Sequence, residues 1–221
     1  MPAYTRWVNR RLARFFAATA YSAGASPNFV TFLSALVSFG GLAIVVFARP
    51  TPWIGIPIAV LLALGYVLDS ADGQVARLGK RGSKAGEWID HVVDSVRTPA
   101  IHLAVLIGLN SIATVNRWFL VVAIAYTLLS AGQFMSQILA EQLGGRIEST
   151  TSERGAIKSF ILLPTDSGVV CWIFLLWGLP QVFAWVYLAL FVLNLGHTAI
   201  SMRRKYQLLV GASARRTETL G

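Results

Sequence analysis

The chain has 221 residues, 55% of them hydrophobic and only 13% charged, and apolar runs of bilayer-crossing length recur along it, which excludes a soluble globule. Its formal charge of +9 does not point to nucleic acid, because the basic residues stand at the ends of the apolar runs, where anionic headgroups account for them. A single cysteine, Cys171, lies inside an apolar run and excludes a disulfide framework; it reads as a buried, inert thiol.

The N-terminal stretch is basic and amphipathic and lacks the apolar core and small-residue cleavage site of a signal peptide. Residues 4–21 set Arg6, Arg10, Arg11 and Arg14 against Trp7, Leu12, Phe15 and Phe16, the makeup of a helix lying in the headgroup plane. Six apolar segments follow, at about 28–48, 53–77, 84–109, 117–142, 159–178 and 181–202. At about 1.5 Å of rise per residue each is long enough to cross a hydrocarbon slab of roughly 30 Å. The expected fold is therefore an all-α integral membrane protein: six transmembrane helices preceded by an amphipathic interfacial helix. The expected organisation is a juxtamembrane segment 1–22, one transmembrane domain 23–205 and a cytoplasmic tail 206–221. Sixteen of the nineteen Lys and Arg residues fall in the N-terminal segment, the second and fourth connections and the C-terminal tail, which places these on the cytoplasmic side.

The stretch DSADGQVARLGKRGSKAGEWIDHVVD, residues 69–94, joins the second and third segments and holds four of the five aspartates. Asp69, Asp72, Gly73, Ala76 and Arg77 fall at i, i+3, i+4, i+7 and i+8, one face of the second helix. Gly86, Asp90 and Asp94 make a matching stripe on the third. Two glycines in LGKRGSKA read as a cytoplasmic turn that folds the third helix back beside the second. An uncompensated acid at a transmembrane helix centre costs about 2.5–3.5 kcal/mol, so positive charge must be near. Arg77, Lys80, Arg81, Lys84 and Arg97 are the available partners, and Asp94 with Arg97 at i+3 is one pairing. An ion-pair cluster alone does not require small residues on the acid-bearing face, whereas Gly73 and Ala76 clear space for a ligand. Clustered carboxylates open on one side suit one or two hard divalent cations, Mg²⁺ or Mn²⁺, with positions left for phosphate.

The same stretch matches D-x2-D-G-x2-A-R-x8-G-x3-D-x3-D at all eight fixed positions, and in this it resembles the CDP-alcohol phosphotransferases, membrane enzymes of phospholipid head-group attachment. SPNFVT, residues 26–31, is similar to the PN-x-x-T segment before that family's first transmembrane helix. The resemblance implies that Asp69, Asp72, Asp90 and Asp94 hold the metal site, occupied by a pair of Mg²⁺ or Mn²⁺ ions. It also implies that Asn28, Thr31, Asp69, Gly73, Ala76, Arg77 and Gly86 bind the CDP-alcohol, and that Asp94 is the general base on the acceptor hydroxyl, with CMP as the leaving group. It further implies a homodimer in a bacterial plasma membrane, with the active site toward the cytoplasm.

Which alcohol is transferred is less sharply written. Ser95 follows the last aspartate where members making phosphatidylinositol-type lipids tend to have Arg. DH-x-x-DS looks more like the choline and ethanolamine phosphotransferases, which usually have more than six spans; chain length favours CDP-diacylglycerol as donor. Two other classes use membrane carboxylates, the aspartate-rich prenyltransferases and the cation transporters. The first would have acids on non-adjacent helices, and the second would have acids along a path across the bilayer.

The remaining polar residues are less specific. His91 follows Asp90 about 100° round the helix and reads as a packing neighbour sooner than a ligand. His102 and His197 read as satisfied interior groups. Gln133, Gln137 and Glu141 form an inward polar stripe that serves helix packing or an acceptor pocket. Asp166 is open between structure and site. Arg146, Arg154 and Lys158 read as a positive-inside loop ahead of a grip on an acceptor phosphate.

Overall fold

The computed structural model describes residues 2–80, 82–143, 159 and 163–218. Among these residues every regular element is helical. A π-helical turn, Thr5–Asn9, leads into α1 (Arg10–Ser22), followed by α2 (Pro27–Phe47), α3 (Gly55–Leu78), α4 (Lys84–Asn110), α5 (Trp118–Leu143), the short α6 (Ser167–Ile173) and α7 (Pro180–Glu218). Five of these, α2, α3, α4, α5 and α7, are long and apolar enough to cross a membrane.

The expected segment 159–178 is divided where it is described. A 3₁₀ turn, Leu163–Thr165, ends at Asp166, which caps α6 by accepting a hydrogen bond from Gly168 N (3.1 Å). A second 3₁₀ stretch, Phe174–Gly178, then continues α6. An aspartate N-cap sets a helix start, so the apolar helix Ser167–Gly178 is shorter than a span.

Two serine caps place the site-bearing ends of the helices. Ser26 Oγ accepts from Phe29 N at 3.2 Å, with Pro27 at the first helical position of α2, where its missing N–H is no loss. Ser83 Oγ accepts from Gly86 N at 3.0 Å and starts α4. Between α3 and α4 the chain reverses through Lys80, whose φ of 49° is left-handed, a conformation non-glycine residues rarely hold.

The expectation that the third transmembrane segment folds back beside the second agrees with what is seen at the acids: Arg97 of α4 lies 2.8 Å from Asp69 of α3, and Asp90 of α4 faces Asp69 and Asp72 of α3. The two backbones approach closely at few points, and the extensive helix packing is of α2 on both α3 and α4 and of α4 on α5. Periodicity within a helix states which face is polar, not how much backbone it packs against a neighbour.

The two ends of the bundle differ. Away from the acids, Val45 of α2, Ile58 and Leu62 of α3, Val105 and Leu109 of α4, Phe119 of α5 and Phe183 and Tyr187 of α7 close a continuous apolar core around Phe174 and Trp177. At the acid-bearing end a smaller cluster joins α1 to α2 and α3: Ala13 and Ala17 are fully buried against Val30, Val67, Ala71 and Val75. The N-terminal helix is thus docked by its small residues, while Leu12 and Phe15 remain exposed, as a helix in the interface requires. Asn9, also fully buried, donates to Ser70 Oγ (2.5 Å) and secures the same seam. Before it, Thr5 donates through N (2.7 Å) and Oγ1 (2.8 Å) to the Asp166 carboxylate.

Close approach at Gly55 gives a test of the core end. A Cβ there would stand 2.5 Å from the Phe174 carbonyl oxygen and 2.7 Å from that of Leu175, backbone atoms that cannot rotate away. Gly55→Val should destabilise the detergent-solubilised protein by about 1–3 kcal/mol in thermal unfolding. Gly40→Ala, with nothing within 4 Å, should be neutral or stabilising, since glycine costs a helix interior about 0.5–1 kcal/mol relative to alanine.

Candidate active site

Asp69 and Asp72 on α3 meet Asp90 and Asp94 of α4. One carboxylate oxygen from each of Asp69, Asp72 and Asp90 lies within 4.8 Å of the others. From α2, Thr31 Oγ1 donates to Asp72 Oδ2 at 2.5 Å. Asp94 is held differently. It pairs with Arg97 one turn along its own helix, and the same guanidinium nitrogen lies 2.8 Å from Asp69 Oδ1. Arg97 Nη1 also donates to Ser34 Oγ of α2 (3.3 Å). This buried arginine therefore ties α2, α3 and α4 together.

The donor set fits a hard divalent cation. Of the three carboxylates only Asp69 is ion-paired among the described residues, to Arg97, and all their ligand atoms are oxygen, as Mg²⁺ and Mn²⁺ prefer. Asp69 Oδ1 is buried, and the Arg97 guanidinium 2.8 Å away supplies the compensating charge that a buried carboxylate needs. Asp69, Asp72 and Asp90 are the described group that could hold a metal ion, and Arg97 pairs with both Asp69 of that group and Asp94 beside it.

Two cavities adjoin the carboxylates. The larger, about 710 Å³, opens among the first turn of α2, the last turns of α3 and the start of α4. Asn28, Thr31, Gly73, Ala76, Arg77 and Gly86, the expected nucleotide-binding residues, all line it, together with Asp72, Asp90, Lys80, Ser83, Lys84 and Glu87. Gly73 and Gly86 serve this space: a Cβ on Gly86 would stand 3.1 Å from Asn28 Oδ1, and one on Gly73 would stand 3.6 Å from Arg77 Nη1. Asp69, also expected to face the nucleotide, lines the second cavity instead. That cavity, about 320 Å³, is lined from α2, α3, α4, α5, α6 and α7, and Asp94, Arg97, Gln133, Gln137, Tyr126 and Asn194 line it with Asp69.

The other polar residues fall into place by contact. Gln133 and Gln137 do face the second cavity; Gln133 accepts from Thr198 Oγ1 (3.2 Å) and Gln137 donates to Glu141. His91 sits edge-on to Phe134 of α5, ring centroids 6.5 Å apart, a packing contact. His102 shares a 2.8 Å hydrogen bond with Tyr187 Oη and stacks on Tyr126 at 3.9 Å. The expectation for His197 is corrected, because its Nδ1 is buried and no described residue satisfies it. Asp166 is structural, holding Thr5 and capping α6. Cys171 is buried. Arg81, Arg146, Arg154 and Lys158 lie outside the described residues.

Arg97 was visible in the sequence as a cation inside an apolar segment, but its pairing with Asp69 was not, since that partner comes from another helix. Removing it should leave two carboxylates without their counter-ion, and breaking a buried pair in this way costs about 3–5 kcal/mol. Arg97→Met should therefore lower the thermal midpoint in metal-free detergent solution. Adding Asp69→Asn and Asp94→Asn to the same chain should recover most of the loss; an unchanged midpoint for Arg97→Met alone would contradict the pairing.

The match to known families agrees with this arrangement. The model of the CDP-alcohol phosphatidyltransferase family matches residues 25–195, from just before the Ser26 cap, through both acid-bearing helices, into α7. A search of curated proteins gave no match. With a family match over most of its length and the motif's carboxylates gathered across one gap, the chain belongs to the CDP-alcohol phosphatidyltransferase family, transferases of substituted phosphate groups.

Proposed function

We propose that the protein transfers a phosphatidyl group from CDP-diacylglycerol to the hydroxyl of an acceptor, with release of CMP, as a step of phospholipid biosynthesis. The observation that carries this reading is the position of the carboxylates between the two cavities: Asp72 and Asp90 line the larger, Asp69 and Asp94 the smaller. A donor in one space and an acceptor in the other would meet at the acids. The larger cavity has the cations a diphosphate needs, Arg77, Lys80 and Lys84. Phe29, Phe32 and Trp88 are exposed large apolar residues, each next in sequence to a residue of that cavity. Such a rim suits a donor whose acyl chains stay in lipid, and so favours CDP-diacylglycerol over a soluble CDP-alcohol.

In this reading Asp69, Asp72 and Asp90 hold Mg²⁺ or Mn²⁺, as two ions, with Asp94 closing the site. The metal would neutralise charge on the donor diphosphate and on the departing phosphate. Asn28 and Thr31 bound the nucleotide, Gly73, Ala76 and Gly86 leave it room, and Arg77 contacts its phosphates. Asp94, oriented by Arg97, takes the proton of the acceptor hydroxyl as its oxygen attacks the phosphorus proximal to the diacylglycerol. The new O–P bond forms as the bond to the CMP oxygen breaks, and CMP carries the electron pair away. The proposed setting is a homodimer in a bacterial plasma membrane, with the carboxylates toward the cytoplasm.

CMP release measured against a panel of CDP-alcohols and acceptors tests the reading, and should be greatest with CDP-diacylglycerol. Turnover only with CDP-choline or CDP-ethanolamine and a lipid hydroxyl would reverse the direction of transfer; no CMP from any donor would remove the activity. The division of labour among the acids is tested in the same assay. A positioned general base contributes about 10²- to 10⁴-fold in rate, so Asp94→Asn should lose about that much turnover while calorimetric donor affinity stays within a few-fold. Asp69→Asn should lose both.

A further inference from the structure

A third cavity lies on the other side of α3, where α1 is docked. It has a volume of about 530 Å³ and is lined by Arg10, Arg14 and Ala18 of α1 and by Gln74, Arg77 and Leu78 of α3. No acidic residue lines it, and among the described residues neither Arg10 nor Arg14 is ion-paired. Arg10 and Arg14 stand one helical turn apart, a like-charge spacing that disfavours the helix. They cannot separate by moving α1, because Ala13 and Ala17, between and beyond them, are fully buried against α3, and Asn9 is bonded to Ser70. Arg77 also lines the donor cavity, and its guanidinium lies beside Gly73, 3.6 Å from where a Cβ would stand. Arg10 and Arg14 thus line one side of a cavity whose other walls are Ala18, Gln74 and Leu78, apolar but for the one amide.

We propose that this cavity binds a phosphate-bearing anion at a site separate from the substrates, with Arg10 and Arg14 gripping the phosphate. Guanidinium pairs bind phosphate oxygens by charge-assisted hydrogen bonds. The apolar walls match the glycerol and first methylenes of a phospholipid, and the amphipathic helix holds the site at headgroup depth. Bound there, an anionic lipid would relieve the repulsion between the arginines and clamp α1 to α3. The ordinary alternative is diffuse attraction of a basic helix to an anionic surface, and Arg11 separates the two. It is exposed on the same helix but does not line the cavity.

The test uses the full chain in a neutral detergent, with dioctanoyl phosphatidylglycerol, dioctanoyl phosphatidylcholine and inorganic phosphate as probes, and native mass spectrometry to count retained molecules. One phosphatidylglycerol should be retained per chain, more tightly than phosphatidylcholine. The double variant Arg10→Gln/Arg14→Gln should weaken it by about tenfold or more, as loss of charge-assisted hydrogen bonds requires, and Arg11→Gln should leave it within about twofold. If inorganic phosphate displaces the lipid and binds with the same dependence on Arg10 and Arg14, the site stands and its natural occupant is free phosphate. Equal loss in Arg11→Gln would show diffuse attraction only and overturn the proposal. Displacement of the lipid by CMP would make the cavity an arm of the donor site and overturn it as well.

Discussion

The ion-pair junction at Arg97 carries the rest of the arrangement. Carboxylates placed within the apolar thickness of a bundle need a counter-charge, and the guanidinium supplies it to Asp69 on α3 and to Asp94 on α4, while also bonding Ser34 on α2. α2 packs extensively on both acid-bearing helices, and α3 and α4 are joined at the acids by the Arg97–Asp69 pair. Without a cation between them the facing acids would repel.

This junction also explains why the bundle is built in two halves. Far from the acids the helices close on large aromatic and aliphatic side chains, with Trp177, Phe174 and Phe183 fully buried. Near the acids the buried groups are smaller or polar: the alanines and valines Ala13, Ala17, Ala71, Val30, Val67 and Val75, with Thr31 and Ser34. A dense core at one end fixes the helix axes, so polar groups at the other can be held in place without filling the space between them. Asp69 has two tasks there, as partner of Arg97 and as a member of the three-carboxylate set. A cation at that set would share the Asp69 carboxylate with Arg97, which leaves Asp94 as the acid most firmly tied to the arginine.

Much of this was legible in the sequence, for local reasons. The stripes Asp69-Asp72-Gly73-Ala76-Arg77 and Gly86-Asp90-Asp94 follow from helical spacing alone, and the structure brings their members to one gap. Ser-Pro-Asn before α2 is a helix start by its own chemistry, and six of the seven residues expected at the nucleotide do line one cavity. What escaped depends on contacts far apart in the chain. Asn9 to Ser70, Thr5 to Asp166 and Arg97 to Asp69 each join different helices, and no spacing rule selects such partners. The break in segment 159–178 had a local sign, Pro164 followed by Asp166-Ser167-Gly168, but continuous hydropathy across it masked a helix cap as part of a span.

The central proposal is that Asp69, Asp72 and Asp90 hold a divalent cation, with Asp94 beside them paired to Arg97. Anomalous diffraction from crystals of the protein grown with Mn²⁺ tests it most directly. The account predicts manganese density bounded by oxygens of Asp69, Asp72 and Asp90, with Asp94 still paired to Arg97. Manganese absent from that set, or bound with Arg97 displaced and Asp94 replacing one of the three, would contradict it.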